Sequence, residues 1–427
     1  MLSDSTRRLA ALIIPLAGVI IIAPTAAQAS LSQPSVVSDN PANVTPNVED
    51  DAAVSNAAVH ALGQLGSTMY AGGAFHTVTD AAQTTTYTRS NIMGFDAISG
   101  AMTSFSPTFN GTVWAIEPSG SSLFVGGEFT SVNGVARRGL VKVDAATGQI
   151  DPTFNPTIKS GNVTEVRLVN GRLIIGGTFP KKLAALDPAT GADTGYINIS
   201  ITGKTASNAG PTKIYRFAVN PAGTRLVAIG NFTSVGTATR WQAFMLDLGT
   251  TSATLNPWYY TPLQNKCSAS GTPAYLRDVD FSPDGSYFVT VATGFVPLSG
   301  GVGRDLCDSA ARFETNIANP TRPTWINYTG GDTLHSVAVT GVAVYVQGHQ
   351  RWLDNPFGRD NAGAGAVARA GIGAIDPAAG TALSWNPGKT RDVGGKDLYA
   401  TTAGLWVGSD GSRFNGEYRH GLAFCPL

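Results

Sequence analysis

Leu123-Phe124-Val125-Gly126-Gly127-Glu128-Phe129 decides how the remainder of the sequence is read, because it returns along the whole chain. Met69-Tyr70-Ala71-Gly72-Gly73-Ala74-Phe75 and Leu173-Ile174-Ile175-Gly176-Gly177-Thr178-Phe179 are close copies, and Leu226-Val227-Ala228-Ile229-Gly230-Asn231-Phe232 is a relative. Phe288-Val289-Thr290-Val291-Ala292, Val344-Tyr345-Val346-Gln347-Gly348 and Leu405-Trp406-Val407-Gly408 are more distant ones. Aligned at the first glycine position, the copies fall at 72, 126, 176, 229, 292, 347 and 408. One unit therefore recurs about every 56 residues, the period range of propellers, solenoids and arrays.

Each unit reads as four short antiparallel strands. In the second unit these are Val113 to Glu117, Leu123 to Gly127, Gly139 to Val143 and Ile150 to Phe154, separated by Pro118-Ser119-Gly120-Ser121, a longer loop, and Asp144-Ala145-Ala146-Thr147-Gly148. The Asp-x-x-x-Gly turn recurs at Asp96–Gly100, Asp187–Gly191 and Asp376–Gly380. A repeated acidic residue resembles a catalytic ring, but the chemistry fits a turn: the carboxylate accepts backbone N–H groups just ahead of it and the glycine takes positive φ. The double glycine reads as a thin strand that lets neighbouring sheets approach.

The expected fold class is all-β, a seven-bladed β-propeller of four-stranded antiparallel blades. The last unit runs through Gly421 to Cys425 and stops before a fourth strand. Asn43-Val44-Thr45-Pro46-Asn47-Val48 resembles the segments that end other units, Thr103 to Phe109 and Ile150 to Asn155. The ring is thus expected to close by an N-terminal strand, at about residues 44–48, pairing with the C-terminal blade. The domain reading is a signal peptide at 1–29, a leader carrying the closing strand at 30–56, and the propeller at 57–427.

Arg7-Arg8, the apolar run from Leu9 to Ile22 and Ala27-Gln28-Ala29 supply the three regions of a secretory signal. The adjacent arginines also raise the twin-arginine route. No later stretch is apolar for long enough to span a membrane as a helix. Charge is balanced, with 29 basic and 29 acidic residues making up only 14% of the chain, which gives no basic stripe for nucleic acid and no acidic tail. A disulfide between Cys267 and Cys307 is expected, since both fall in loops of one unit of an exported chain. Cys425 is left as a small buried apolar residue of the last strand.

The L-Y-V-G-G-x-F core resembles the secreted actinobacterial propellers built from delta-60-like or PQQ-like repeats, over roughly Val44 to Leu427. Arg277 to Gly285 resembles the S-P-D-G turn of such repeats. The resemblance implies the fold and carries no activity. A PQQ dehydrogenase would need tryptophan docking motifs in each blade, and the seven tryptophans are scattered.

Turns between first and second strands, and between third and fourth, are short. The other two connections run long, as at His76 to Arg89, Val296 to Ala311, His349 to Ala368, Thr202 to Lys213 and Pro257 to Tyr275. In a four-stranded blade both long kinds emerge on one face, where binding residues concentrate. The second residue of each inner strand should ring the channel mouth on that face. The series reads His60, Trp114, Thr164, Tyr215, Arg277 and His335, with the seventh near Lys396 or Leu398. Of these, His60, Trp114, Tyr215, Arg277 and His335 are the candidate ligand-binding residues, suited to stacking on and hydrogen bonding a polar ligand. Packing between blades is the competing account.

No catalytic residues are assigned. The five histidines lack zinc spacing, and neither a G-x-S-x-G elbow nor a Walker A sequence occurs. Loop carboxylates Asp80, Asp278, Asp305, Asp308, Asp332, Asp354, Asp360 and Glu417 are the candidates for a glycosidase pair. Asp354-Asn355 and Arg359-Asp360-Asn361 have calcium-ligating types without EF-hand or β-roll spacing, so no cofactor is expected. The reading is a monomeric, secreted or cell-wall-associated binding scaffold for an extracellular glycan or protein. The alternative is a glycan-active hydrolase, lyase or oxidoreductase with its site at the channel mouth.

Overall fold

The computed structural model describes residues 31–268 and 274–427. The signal-peptide segment at 1–29 lies outside the described residues. Among the described residues there is no α-helix, only strands and one short 3-10 turn at Thr261–Gln264.

Seven antiparallel sheets follow one another along the chain. Their first strands are Ala58–Leu65, Val113–Ser119, Val163–Val169, Ile214–Val219, Tyr275–Phe281, Leu334–Val339 and Gly395–Thr401. In each sheet the glycine-bearing second strand lies between the first and the third, as in Ser122–Gly127 between Val113–Ser119 and Leu140–Asp144. Only the fourth and fifth sheets carry a fourth strand of ordinary length, Ala253–Leu255 and Trp325–Tyr328. In the first, second, third and sixth sheets the expected fourth strand shrinks to one bridge: Phe95↔Met102, Val143↔Ile150, Leu186↔Asp193 and Ile375↔Ala382. In the second sheet Pro152 closely follows the bridge and cannot donate to a ladder.

The core is divided among sheet interfaces. Tyr70 and Ile92 of the first sheet pack with Ile116 and Val125 of the second. Equivalent clusters join the second to the third, and so on to the sixth and seventh. A last cluster joins Trp406 and Phe424 of the seventh sheet to Leu62, Met69 and Phe95 of the first. Each sheet is therefore buried on both faces, which accounts for continuous apolar runs such as Leu173-Ile174-Ile175.

The double glycine serves two different contacts. A Cβ on the first would press into the next sheet: on Gly126 it would sit 2.9 Å from Val163 Cγ1, and on Gly176 3.0 Å from Ile214 Cγ2. A Cβ on the second would overlap a backbone carbonyl of its own sheet, Ala58 for Gly73, Thr112 for Gly127 and Asn162 for Gly177. Close approach of neighbouring sheets thus explains only the first of the pair.

The Asp-x-x-x-Gly turns are capped as expected. Asp144 Oδ1 accepts the N–H groups of Ala146 and Thr147 at 3.1 and 2.8 Å, and Gly148 takes φ +72°. These bonds hold the Asp144 carboxyl below its ordinary range, led by the Thr147 hydroxyl. The Cys267–Cys307 disulfide is present, across a sequence separation of 40, and Cys425 is a buried free thiol in the last strand.

The N-terminal segment runs along the last strand, with the Ser38 and Ala42 N–H groups donating to the Pro426 and Phe424 carbonyls at 2.7 and 2.8 Å. The contact begins earlier than the expected 44–48 and reaches into it, where the Val48 N–H donates to the His420 carbonyl and the His420 N–H to Asn47 Oδ1, both at 3.0 Å. Residues Asn47–Glu49 also pair with Thr77–Thr79, in a small sheet beside the first one.

Candidate functional site

All seven first strands converge on one cavity of about 100 Å³, to which they contribute Leu62, Ile116, Glu165, Arg216, Asp278, Val337 and Asp397, among others. At the end where each strand begins, its pairing with the second strand slips by one residue. The slips fall between Val59 and Ala61, Val113 and Ala115, Val163 and Glu165, Ile214 and Arg216, Leu276 and Asp278, Leu334 and Ser336, and Gly395 and Asp397. The residues set out of register are His60, Trp114, Thr164, Tyr215, Arg277, His335 and Lys396. A bulge leaves one residue unpaired and re-aims its side chain. The positions of the expected series are thus bulge positions, and the corresponding one in the seventh sheet is Lys396 rather than Leu398.

The ring members differ in how far their neighbours engage them. The His60 and Trp114 rings lie 4.4 Å apart between centroids. The Thr164 hydroxyl donates to the Ile214 carbonyl at 2.8 Å and is committed to joining the third and fourth sheets. Lys213 Nζ stands 4.8 Å from the Tyr215 ring centroid. Lys396 Nζ is 3.4 Å from the Asp410 carboxylate, and His335 faces His349 at 6.1 Å between centroids. Arg277 makes no hydrogen bond or ion pair with any described residue, and its Nε is buried. Burial keeps His60 and His335 neutral, pushing both down to about 3, with Lys396 among the nearby cations that add to the effect.

Beneath the ring lies a charged layer that the sequence reading missed. Arg216 pairs with Glu165 at 2.9 Å and donates to the Trp114 and Thr164 carbonyls at 3.3 Å and the His60 carbonyl at 3.4 Å. One guanidinium of the fourth sheet thereby satisfies three carbonyls at the bulges of the first three. Arg167 completes Glu165 from the other side at 2.5 Å. Asp397 accepts the Leu62 N–H at 2.8 Å, Asp278 the Val337 N–H at 3.0 Å and Asp280 the Val339 N–H at 2.8 Å, each from the next sheet. Asp278 and Asp397 are only half-buried by area, but the area they show is cavity wall, so desolvation prevails. It pushes Asp278 up to about 7 and raises Asp397 as well. Asp278, read from sequence as a loop residue, is therefore part of a first strand. The available signal was its alternation with Arg277 and Asp280 in a strand whose counterparts carry Glu165, Arg216 and Asp397 one place after the bulge.

The mouth is walled by paired loops. Type I′ hairpins with Asn-Gly at their tips (Asn133 φ +48°, Gly134 φ +75°; Asn415 φ +49°, Gly416 φ +75°) stand over the second and seventh sheets. The segment that enters a sheet pairs with that sheet's own hairpin: Asn47–Glu49 with Thr77–Thr79, Phe109 with Val132, Ile201–Thr202 with Ser234–Val235, and Lys389 with Phe414. In the fifth sheet the same junction is a Cys267↔Pro297 bridge secured by the disulfide. The third sheet departs from the expected long loop, turning back at Phe179–Lys182. The opposite face has only tight turns, and Leu31 lines the cavity where Gln33 bonds Thr340, Thr401 and Gly404.

The loop carboxylates are engaged one by one. Asp332 accepts Arg351 at 2.7 Å and Arg391 at 3.0 Å, and Asp360 accepts Arg351 at 2.9 Å. Asp305 accepts Asn265 and Arg304, Asp354 accepts Asn327, Asp308 the Gly294 N–H, Asp80 the Thr84 N–H, and Glu417 pairs with Arg419. Among the described residues no three His, Cys, Asp or Glu side chains gather as a metal-binding group.

A family described as a domain of unknown function (DUF5122) beta-propeller matches residues 122–154, the unit holding the best copy of the repeat. No curated protein matches the chain. Among solved structures, the computationally designed Ika8 protein is similar at 11% identity over 89% of this chain and 98% of that one, with a TM-score of 0.47. Kuenenia stuttgartiensis hydrazine synthase is similar at 10% identity over 86% of this chain and 95% of that one, with a TM-score of 0.48.

Proposed function

We propose that this β-propeller repeat protein is a seven-bladed ring, closed by its N-terminal segment, that works as an exported binding scaffold. Its ligand, an extracellular glycan or protein, is held at the channel mouth. The observation that carries the reading is the ring of bulge residues, His60, Trp114, Tyr215, Arg277, His335 and Lys396 with Thr164, at the end where every elaborated loop emerges. Bulges re-aim side chains beside functional sites, and rigid scaffolds present recognition residues on such loops. Aromatic and imidazole groups beside cationic ones, Arg277 and Lys396, suit a polar, ring-containing ligand. The loop carboxylates support binding over hydrolysis, because their observed partners are amides and guanidiniums that neutralise or orient them in place. The disulfide is compatible with an extracellular protein, and among the described residues no helix is long and apolar enough to cross a membrane.

A glycan array with the wild type, Trp114→Ala and Arg277→Ala tests this. The strongest hits should weaken at least tenfold in both variants while the melting temperature holds; hits indifferent to both changes would move the site away from the mouth.

A further inference from the structure

Arg277 is the outlier of the ring. The other cations around the mouth have partners: Lys396 pairs with Asp410, Arg391 and Arg351 share Asp332, Lys389 donates to the Thr390 carbonyl, and Lys213 stands over Tyr215. Arg277 is half-buried, with its Nε enclosed and no described residue bonded to its guanidinium. A desolvated guanidinium without a counter-ion is costly, and evolution of a plain structural site would favour an apolar or paired residue there. Desolvation also lowers the pKa of this group, against the smaller opposing effect of Tyr215, Asp308 and Tyr275.

The neighbours say what the missing partner is. Tyr215, Asp308 and Tyr275 are the ionisable groups that most favour the charge, while His335 and His349, kept neutral by burial, lie on the side of the sixth sheet. Lys213 and Lys396 raise the positive potential further. The mouth thus offers one planar cation without a bonded partner among the described residues, in a field of paired ones, which suits a single planar anion better than a polyanion. A guanidinium meets a carboxylate through two parallel N–H···O bonds. In the same series the half-exposed Trp114, tilted against the buried His60, offers an aromatic face, the surface on which the C–H side of a sugar stacks.

We propose that the ligand held at the channel mouth is an acidic glycan, with the carboxylate of a uronic acid residue bound by Arg277 and the neighbouring sugar stacked at His60 and Trp114. This rests on the reading of the mouth as a glycan-binding site and narrows it to one class.

The test is calorimetric titration of the full exported chain with three probes of equal length: a galacturonate hexamer, a neutral galactose hexamer and a sulfated galactose hexamer. The galacturonate should bind at least tenfold more tightly than either other probe, the increment of a charge-assisted pair. Arg277→Gln should reduce galacturonate binding to the level of the neutral probe. Arg277→Lys should recover only part, since an ammonium keeps the charge and loses the fork. Melting curves of both variants accompany the titrations; if Arg277→Gln does not fold, the comparison of wild type with Arg277→Lys and the three-probe ranking still decide. Equal binding of neutral and acidic probes would overturn the carboxylate assignment and leave the glycan site standing. Preference for the sulfated probe would overturn it too, in favour of another anion. Binding of none of the three would remove the glycan reading itself.

Discussion

Replacing Arg216 by methionine isolates the contact that stitches the sheets together. The change keeps an unbranched, space-filling side chain but deletes the ion pair to Glu165 and the bonds to the His60, Trp114 and Thr164 carbonyls. Glu165, only 2% exposed, would keep Arg167 alone, and Asp278 and Asp397 would lose the nearest compensating charge. Removing one partner of a buried pair costs about 3–5 kcal/mol. The cavity beside the guanidinium can admit water to the freed carbonyls, so the lower end, about 3 kcal/mol, is expected. At about 2 cal/mol/K per residue over nearly 400 residues, that corresponds to a fall in Tm of about 4 °C. Urea titrations followed by far-UV circular dichroism and by tryptophan fluorescence measure it, and coincident midpoints establish that the ring unfolds as a unit. A cycle with Glu165→Gln should return a coupling of about 1–3 kcal/mol. A single variant within about 0.5 kcal/mol of wild type, or strict additivity in the cycle, would refute the account of Arg216 as the central tie.

Three further outcomes follow from contacts elsewhere. Burial pushes the Glu117 carboxyl up to about 7 from 4.5, so the folded state holds this proton more tightly than the unfolded chain does, and the group's contribution favours folding at acidic pH and is lost as pH rises from about 4.5 to 7. Glu117→Gln, which retains an acceptor for the Leu168 N–H, should therefore gain stability on wild type across that window, by roughly 2–3 kcal/mol at its upper end; a gap constant from pH 4 to 8 would contradict this. Gly177→Ala should cost at least about 2 kcal/mol because its Cβ meets the fixed Asn162 carbonyl, whereas Gly176→Ala should cost under about 1 kcal/mol because Ile214 can give way; the reverse order in chemical denaturation would undo the division of labour between the two glycines. Deleting residues 31–49 exposes the Leu422–Pro426 edge and uncovers the apolar neighbours of Val37 and Val48, Tyr345 and Leu422 among them, and should lower Tm by several degrees and promote self-association in size-exclusion chromatography; an unchanged profile would argue against ring closure by this segment.

The repeat and its turns were legible because local chemistry dictates them. Alternation, glycine placement and the Asp-x-x-x-Gly signature need no knowledge of distant residues, and the capping geometry at Asp96, Asp144, Asp187 and Asp376 follows them. The length of the outer strands was less legible, since four sheets complete the pattern with a single bridge. The disulfide was accessible from compartment and spacing. The bulges were not, although the residues they re-aim fell in the right series, because a register slip depends on the partner strand. The ionic layer was hidden for a related reason. Glu165, Arg216, Asp278 and Asp397 lie in separate repeats and meet only where seven first strands converge, so nothing short-range in the sequence joins them. The Asn-Gly hairpins were readable and had been passed over as parts of long loops.

Because the segments entering the first, second, fourth and seventh sheets are hydrogen-bonded to the hairpin of the sheet they enter, the two loops over each of these sectors form a single cassette whose halves are separated by two strands of sequence. Exchanging the Ser131–Ala136 hairpin for that of another sector would strand Phe109 beside an unfamiliar partner, whereas moving both halves together would preserve the joint. A library meant to retarget the protein should therefore randomise incoming segment and hairpin as one unit.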